Sequence, residues 1–244
     1  MNRILFEAAE IGSDGRAVVT DERAEHIRSV LHGAVGQVLK TGTVGGRIGS
    51  AAIEAVTPQG VTVSCVHGEP PLAPWCDLVL APPRPRVMKR LLPQLATLGV
   101  RRLFLAGAEK VEKAFWGAQL LKPEIYRPLL VEGLMQGAVA TEPPEIHLEK
   151  NLTRWLEKGR FERDFGGQAL RIVAHPYDLA ADRPALPDVA EGLFPVFAIG
   201  PEGGWTDAEV ALLEAHGFVR QGLGARILKT ETAAVALLSR FLRV

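Results

Sequence analysis

A change of grammar at residues 68–74 constrains this chain more than any other feature. The stretch reads GEPPLAP, and neither a helix nor a central strand runs through such a run of prolines. It predicts a boundary between a domain over residues 1–70 and a second over 75–244. Before the break the pattern is β-rich. Residues 16–20 and 60–66 alternate with β-branched side chains, and glycines crowd residues 42–49. One short helix interrupts them, with Asp21 as N-cap and Ala24, Ile27 and Leu31 on its inner face. After the break, short apolar runs at 76–81, 101–106, 171–175 and 194–199 alternate with helical segments. The first helix is expected over 86–98, kinked at Pro93 and ended by Gly99. Strands alternating with helices imply βαβ units and a parallel sheet, so the fold class is α/β. Residues 151–168 are polar and read as peripheral.

Length and composition remove several alternatives. At 244 residues, with 47% hydrophobic and 23% charged residues, the chain can bury a core without staples. That excludes disorder, a collagen-like repeat and a disulfide scaffold. Two cysteines, Cys65 and Cys76, fit a reducing compartment, and the six histidines form no cluster, so no metal is expected. No window offers the roughly 20 apolar residues of a membrane span. Residues 1–10 lack the apolar core of a secretory leader, which predicts a cytoplasmic protein without a membrane partner. Lys+Arg and Asp+Glu balance at 28 each, yet residues 84–113 hold eight basic residues against Glu109 and Glu112. A net +6 segment on a neutral chain suits a polyanionic partner, the plain alternative being a solvated helix face.

The last fifty residues carry the most chemistry. The sequence IGPEGGW at 199–205 follows a strand and precedes a helix whose start is marked by Thr206 and Glu209, a capping box, and whose stop is Gly217. A strand at 218–223 leads into a second glycine loop and LGARILKTETA at 223–233. A terminal helix then presents Ala233, Ala234, Leu237, Leu238 and Phe241 on one face. Loops beyond the carboxyl ends of strands are where open α/β sheets bind ligands. Neither a Walker A sequence nor G-x-G-x-x-G is present, and Glu202 would oppose a phosphate. A carboxylate in the loop suits a cationic or polar ligand, and S-adenosylmethionine, a sulfonium, is compatible with it.

These motifs resemble the RsmE family, the uridine-N3 methyltransferases of small-subunit (16S) ribosomal RNA in the SPOUT superfamily. The resemblance rests on residues 199–205, Glu209 and residues 223–233. HIRSVLH at 26–32, LGV at 98–100 and the Glu132/Gln136 pair support it. It implies a C-terminal SPOUT-type α/β trefoil-knot domain with a parallel sheet, its chain near 223–233 threaded through a loop. A small PUA-like β-barrel domain that helps hold RNA would precede it. The implied cofactor is S-adenosyl-L-methionine. The implied partners are ribosomal RNA in the 30S subunit and a second copy packed through the knot.

By resemblance, Ile199, Gly200, Pro201, Gly203 and Gly204 form one cofactor wall, and Leu223, Gly224, Ile227, Leu228, Thr232 and Ala233 the other. His175, ending its strand, would close the adenine side. Ile227 has core packing as its plain alternative. Methylation at N3 requires an unpaired base and loss of the N3 proton. Lys229 is the candidate cation near the uracil or the RNA backbone, and Glu202 or Glu231 could accept a proton or orient a ribose, although each of these residues also suits a helix flank. Arg3, Arg28 and Lys89 are candidates for RNA contact. The chain departs from the family at four positions: His32, Val139 and Lys229 stand where relatives commonly have Arg, and Thr97 where they have Glu. Those departures leave open a knotted RNA-binding assembly factor without methyl transfer, or a methyltransferase on another RNA. A nucleotide-cofactor oxidoreductase is disfavoured by the missing dinucleotide fingerprint.

Overall fold

The computed structural model describes residues 1–165, 170–176 and 194–242. They form two compact units, one of Met1–Pro74 with Arg127–Pro143, the other of Trp75–Tyr126 with Pro144–Val244.

The first unit is built on β1 (Ile4–Phe6), β2 (Arg16–Val19), α1 (Glu22–Ser29), β3 (Val38–Thr43), β4 (Ile48–Val56) and β5 (Val61–Glu69). The strands form one curled sheet in the order β1-β3-β4-β5-β2. β1 runs parallel to β3 and every other pairing is antiparallel. Two register shifts between β4 and β5 bend the sheet, as bulges do. A Cβ at Gly49 would lie 2.0 Å from the Val66 carbonyl oxygen, so the bulge admits only glycine there. Phe6, Val19, Ile53 and Val63 fill the concave face, and α1 closes it with Ala24 and Ile27. Asp21 caps α1 by accepting from the Arg23 backbone N–H. Leu31, expected on the inner face, is exposed, because the helix stops at Ser29. His32 then takes φ +48°, a conformation that histidine tolerates better than most side chains.

The sequence reading placed Arg127–Pro143 in the second domain, but it packs with the first. The backbone N–H groups of Asn2 and Arg3 donate to the Met135 carbonyl, and that of Leu72 to Val139. No composition shift marks this excursion.

The second unit contains β6 (Cys76–Leu80), α2 (Pro85–Thr97), β7 (Val100–Ala106), the first turn of α3 (Pro123–Gly137), β8 (Glu145–Glu149), α4 (Leu152–Glu157) and α5 (Arg160–Phe165). β9 (Arg171–Ala174), β10 (Val196–Ile199), α6 (Asp207–Ala215), β11 (Phe218–Gln221) and α7 (Thr230–Ser239) complete it. Six strands in the order β11-β9-β10-β6-β7-β8 are all parallel. β6 and β10 are buried along their whole length, as central parallel strands are. Asp77 on β6 is the polar exception. At 1% exposure it is held by Arg101 and Arg102, which removes two cations from the basic segment.

The polar stretch beginning at residue 151 is not peripheral. Trp155 and Phe161 are fully buried, with Trp155 stacked on Phe104 at 5.2 Å and Phe161 packed against Phe218 at 5.6 Å. Residues 166–168 of that reading lie outside the described residues. Ala234, Leu237 and Leu238 of α7 are buried within this unit, so most of that helix face is core. Thr206 and Glu209 form the expected capping box, and Gly217 follows α6 with φ +81°.

Candidate functional site

The strand order brings the carboxyl ends of β11, β9, β10 and β6 side by side. The loops leaving β6, β10 and β11 share one edge of the sheet. The Ala81 backbone N–H donates to Ile199 O, and the His175 N–H to Gln221 O at 3.2 Å, so neighbouring strand ends are tied directly.

The first glycine loop is anchored along its length. Gly204 N–H closes a turn on Pro201 O at 2.8 Å. Lys110 Nζ donates to Gly203 O at 2.9 Å. Glu202 accepts from the Arg84 backbone N–H at 3.0 Å, at the start of α2. Glu209 is 7% exposed and spends both carboxylate oxygens on backbone, Oε1 on Glu109 N–H and Oε2 on Thr206 N–H. Gly200 is closely packed, because its Cβ would lie 3.0 Å from the Trp205 nitrogen. Gly204 differs. It has φ +68°, and a Cβ there would point into open space.

The second loop has few internal bonds. Among the described residues, no hydrogen bond involves Leu223–Leu228. Gly224 has φ +118° with nothing near a built Cβ, and Ile227 is 90% exposed. Core packing is therefore not the role of Ile227. One bond joins the two loops: the Thr230 hydroxyl, buried at the start of α7, donates to Gly200 O at 3.2 Å.

Three buried polar atoms at these strand ends have no partner: Trp205 Nε1, Gln221 Oε1 and His175 Nδ1. Burial, with the nearby Arg220 charge, lowers the His175 pKa and keeps the ring neutral. A neutral imidazole retains an acceptor that an imidazolium lacks. Unpaired buried groups cost stability unless something satisfies them. Together with the open glycine faces they describe a site for a ligand with both polar and apolar parts.

Of the residues expected in the cofactor walls, Ile199 and Pro201 are buried, and Gly200, Gly204, Leu223 and Leu228 are half-buried. Gly203, Gly224, Ile227 and Thr232 are exposed, and Ala233 is half-buried on α7. Lys229 is exposed at the N-cap of α7, with no side-chain cap bond. Glu202 is exposed, and the bond from Arg84 makes it a brace between the first loop and the start of α2.

The RNA candidates separate. Arg3 spends its guanidinium on the carbonyls of Ala138, Thr41 and Gly49, which makes it a structural clamp. Arg28 is engaged by Thr57 O and Glu25. Lys89 is exposed and unpaired, as are the adjacent Arg90 and, about one helical turn before it on α2, Arg86. The sequence reading missed Thr230, Lys110 and Gln221. Lys110 lay in the basic segment and Thr230 in the 223–233 motif, but their backbone partners are distant in sequence. Among the described residues no group of three or more His, Cys, Asp or Glu gathers as a metal site, and no helix is long and apolar enough to cross a membrane.

The fold and this edge place the second unit among RNA methyltransferases: a family model described as an RNA methyltransferase domain matches residues 70–242. Ribosomal RNA small subunit methyltransferase E of Treponema pallidum is 32% identical over 97% of this chain and 88% of its own length. A Borreliella burgdorferi protein, ribosomal RNA small subunit methyltransferase E 1, is 28% identical over 63% of this chain and 60% of its own. Among solved structures, ribosomal RNA small subunit methyltransferase E from Neisseria gonorrhoeae bound to S-adenosyl methionine superposes with a TM-score of 0.69. It is 20% identical, over 98% of this chain and 96% of that one. A Legionella pneumophila protein solved with bound SAM gives 0.71 at 23% identity, over 99% and 96%. The chain belongs to the ribosomal RNA small subunit methyltransferase E family, RsmE. Its curled half-barrel sheet and parallel sheet are the PUA-like and SPOUT domains of that fold.

Proposed function

We propose that this chain is an S-adenosylmethionine-dependent methyltransferase that modifies N3 of a uridine in small-subunit ribosomal RNA within the 30S particle. In this reading it acts in the cytoplasm as a homodimer packed through its knotted domain, with residues 223–233 as the threaded segment. The observation that carries the reading is the junction of the two glycine loops. Thr230 fixes one to the other, and both turn unhindered backbone toward the same edge.

The residues fit the cofactor. Gly204 and Gly224 let backbone approach it, and the unbonded amides and carbonyls of residues 223–228 would meet its polar edges. Ile227 and Leu228 supply apolar contact, with Ile199, Gly200, Pro201 and Gly203 behind the first wall and Leu223, Thr232 and Ala233 behind the second. His175 closes the third side. When bound, the cofactor supplies an electrophilic methyl group.

The protein's own task is to present the nucleophile. N3 lies on the Watson–Crick edge, so the uracil enters unpaired. Lys229, exposed at the mouth of the second loop, stabilises negative charge on the base as the N3 proton leaves. Glu202 holds the first loop against α2. Lys89, with Arg86 and Arg90, forms a row of unpaired cations near the amino end of α2. Arg86 lies in the first turn, where the helix dipole disfavours a cation, and RNA phosphate would offset the charge of all three.

The departures from family pattern have local uses here. His32 accommodates a positive φ, and the Thr97 hydroxyl donates to Pro93 O inside α2. The test is tritiated-methyl transfer to undermethylated 30S subunits, naked small-subunit RNA and tRNA, with nucleoside analysis. 3-Methyluridine from the 30S substrate is the expected product. Cofactor and RNA binding without transfer to any substrate would replace this reading with that of an assembly factor, and transfer to tRNA would move the target.

A further inference from the structure

A groove of about 630 Å³ opens in the second unit beyond the carboxyl ends of β7 and β8. None of the residues assigned to the cofactor lines it. It is nonetheless continuous with the first glycine loop. Thr206 on its wall lies two residues past Gly204, and Lys110, bound to Gly203 O, sits between two lining residues, Glu109 and Val111.

The groove is held in shape by hydrogen bonds to backbone. Glu209 ties Glu109 to Thr206, and Asn151 spends its side-chain oxygen on the Arg154 N–H. The turns after β7 and β8 touch at backbone level, since a Cβ on Gly107 would lie 2.0 Å from Lys150 O. What remains free to meet an occupant is a distinct set. Lys113 and Lys150 have unpaired ammonium groups, and Glu109 and Glu157 have unpaired carboxylates. Trp116 offers a half-buried ring, braced edge-on by Phe115 at 5.5 Å.

Each part matches one part of a nucleotide. Ammonium groups take phosphate oxygens, and an indole face stacks a base. Carboxylates repel phosphate but accept from an exocyclic amine, as Glu and Asp do from cytosine N4. Uracil has no exocyclic amine and cannot make that contact. We propose that it holds an unpaired, amino-bearing nucleotide (cytidine, adenosine or guanosine) of the RNA strand beside the target. This deepens the methyltransferase reading, on which its RNA occupant rests.

The test titrates the full chain with short single-stranded oligonucleotides of cytidylate, adenylate or uridylate, following tryptophan fluorescence. Saturating S-adenosylhomocysteine keeps adenine out of the glycine loops, and calorimetry with that compound alone reports the cofactor site separately. Cytidylate and adenylate are expected to quench, and to bind about tenfold tighter than uridylate, as one carboxylate–amine contact implies. Trp116→Phe should abolish the quench while keeping the fold. Glu109→Ala with Glu157→Ala should bring cytidylate down to the uridylate level. Lys113→Ala with Lys150→Ala should weaken all three and flatten the log–log salt dependence by about 1.4, at ~0.7 per phosphate on a single strand. Equal affinity for the oligonucleotides, or a quench that survives Trp116→Phe, overturns the proposal. A blank calorimetry trace with the Trp116 quench intact would sink the cofactor reading and leave the groove standing; the reverse pattern removes the groove alone.

Discussion

Residues 200–204 and residues 223–228 leave adjoining regions of one sheet edge, and they differ in how much of their hydrogen bonding is internal. In the first loop Gly200, Pro201, Glu202 and Gly203 each accept a bond, from Thr230, Gly204, Arg84 and Lys110 in turn. In the second, no residue from Leu223 to Leu228 makes one among the described residues. A prebuilt wall fixes where a ligand sits without any ordering cost on binding. An unbonded wall keeps its amides and carbonyls available to the ligand, and its ordering cost falls due when the ligand arrives. The difference assigns position to the first loop and most of the direct polar contact to the second.

That contrast breaks if equal insults to the two loops have equal effects. Gly204→Val puts a β-branched residue at φ +68° in a loop that bonds on every side prevent from relaxing. The added side chain also occupies the open space facing the ligand. Calorimetry should show cofactor affinity lower by about a hundredfold or more, the order of 3 kcal/mol that backbone strain and a blocked surface supply together. Gly224→Val, at φ +118° in the loop without internal bonds, should cost on the order of tenfold, because that backbone can re-form around the side chain. Equal losses would mean that the second loop is as rigid as the first.

Lys229 sharpens the contrast from the catalytic side. It stands at the end of the unbonded loop with its side chain in solvent. Lys229→Ala should leave cofactor affinity nearly unchanged and lower methyl transfer on the order of tenfold, below the 10²–10³ of a fully buried oxyanion donor. Unchanged turnover on RNA would return Lys229 to a surface role.

Much of this edge was legible because short-range signals set it. The Thr206–Glu209 capping box, the glycine loops and the buried runs of β6 and β10 all follow from neighbours in sequence. What escaped depended on distance or on background. β8, Glu145–Glu149, is a half-exposed edge strand with Glu at both ends, and edge strands dilute the apolar signal. In residues 151–165, Leu152, Trp155 and Leu156 keep a helical i, i+3, i+4 stripe, but charged neighbours outnumber it. Arg3 looked like an RNA contact because its three carbonyl partners lie 38 to 135 residues away. The role of Thr230 is hidden in the same way, because its partner, Gly200, is 30 residues distant.

The joint between the loops is tested by Thr230→Val, which keeps the shape and removes the hydroxyl that holds Gly200 O. The hydrogen bond contributes about 1 kcal/mol, so cofactor affinity should fall about fivefold and thermal stability only slightly. If the walls are independent, affinity will not move. A loss as large as that of Gly204→Val would mean that the first loop depends on this one bond and not on its four-point anchoring.

The smallest effect is expected at Glu202, and it decides between two roles. A brace needs only an oxygen for the Arg84 N–H, and Glu202→Gln keeps one, in a loop still held by Lys110 and by the turn at Gly204. Cofactor affinity and methyl transfer should both change less than about twofold, within the range of a single exposed hydrogen bond. A general base needs the carboxylate itself. If Glu202 removes the N3 proton, the amide will lower turnover by the 10²–10⁴ of a lost base and erase the acid limb of the pH–rate profile, while affinity stays constant. The lone bond from the α2 amino end, on a side chain exposed to water, favours the brace. The proton would then leave to solvent from a base whose anion Lys229 stabilises, and the first loop would supply position alone.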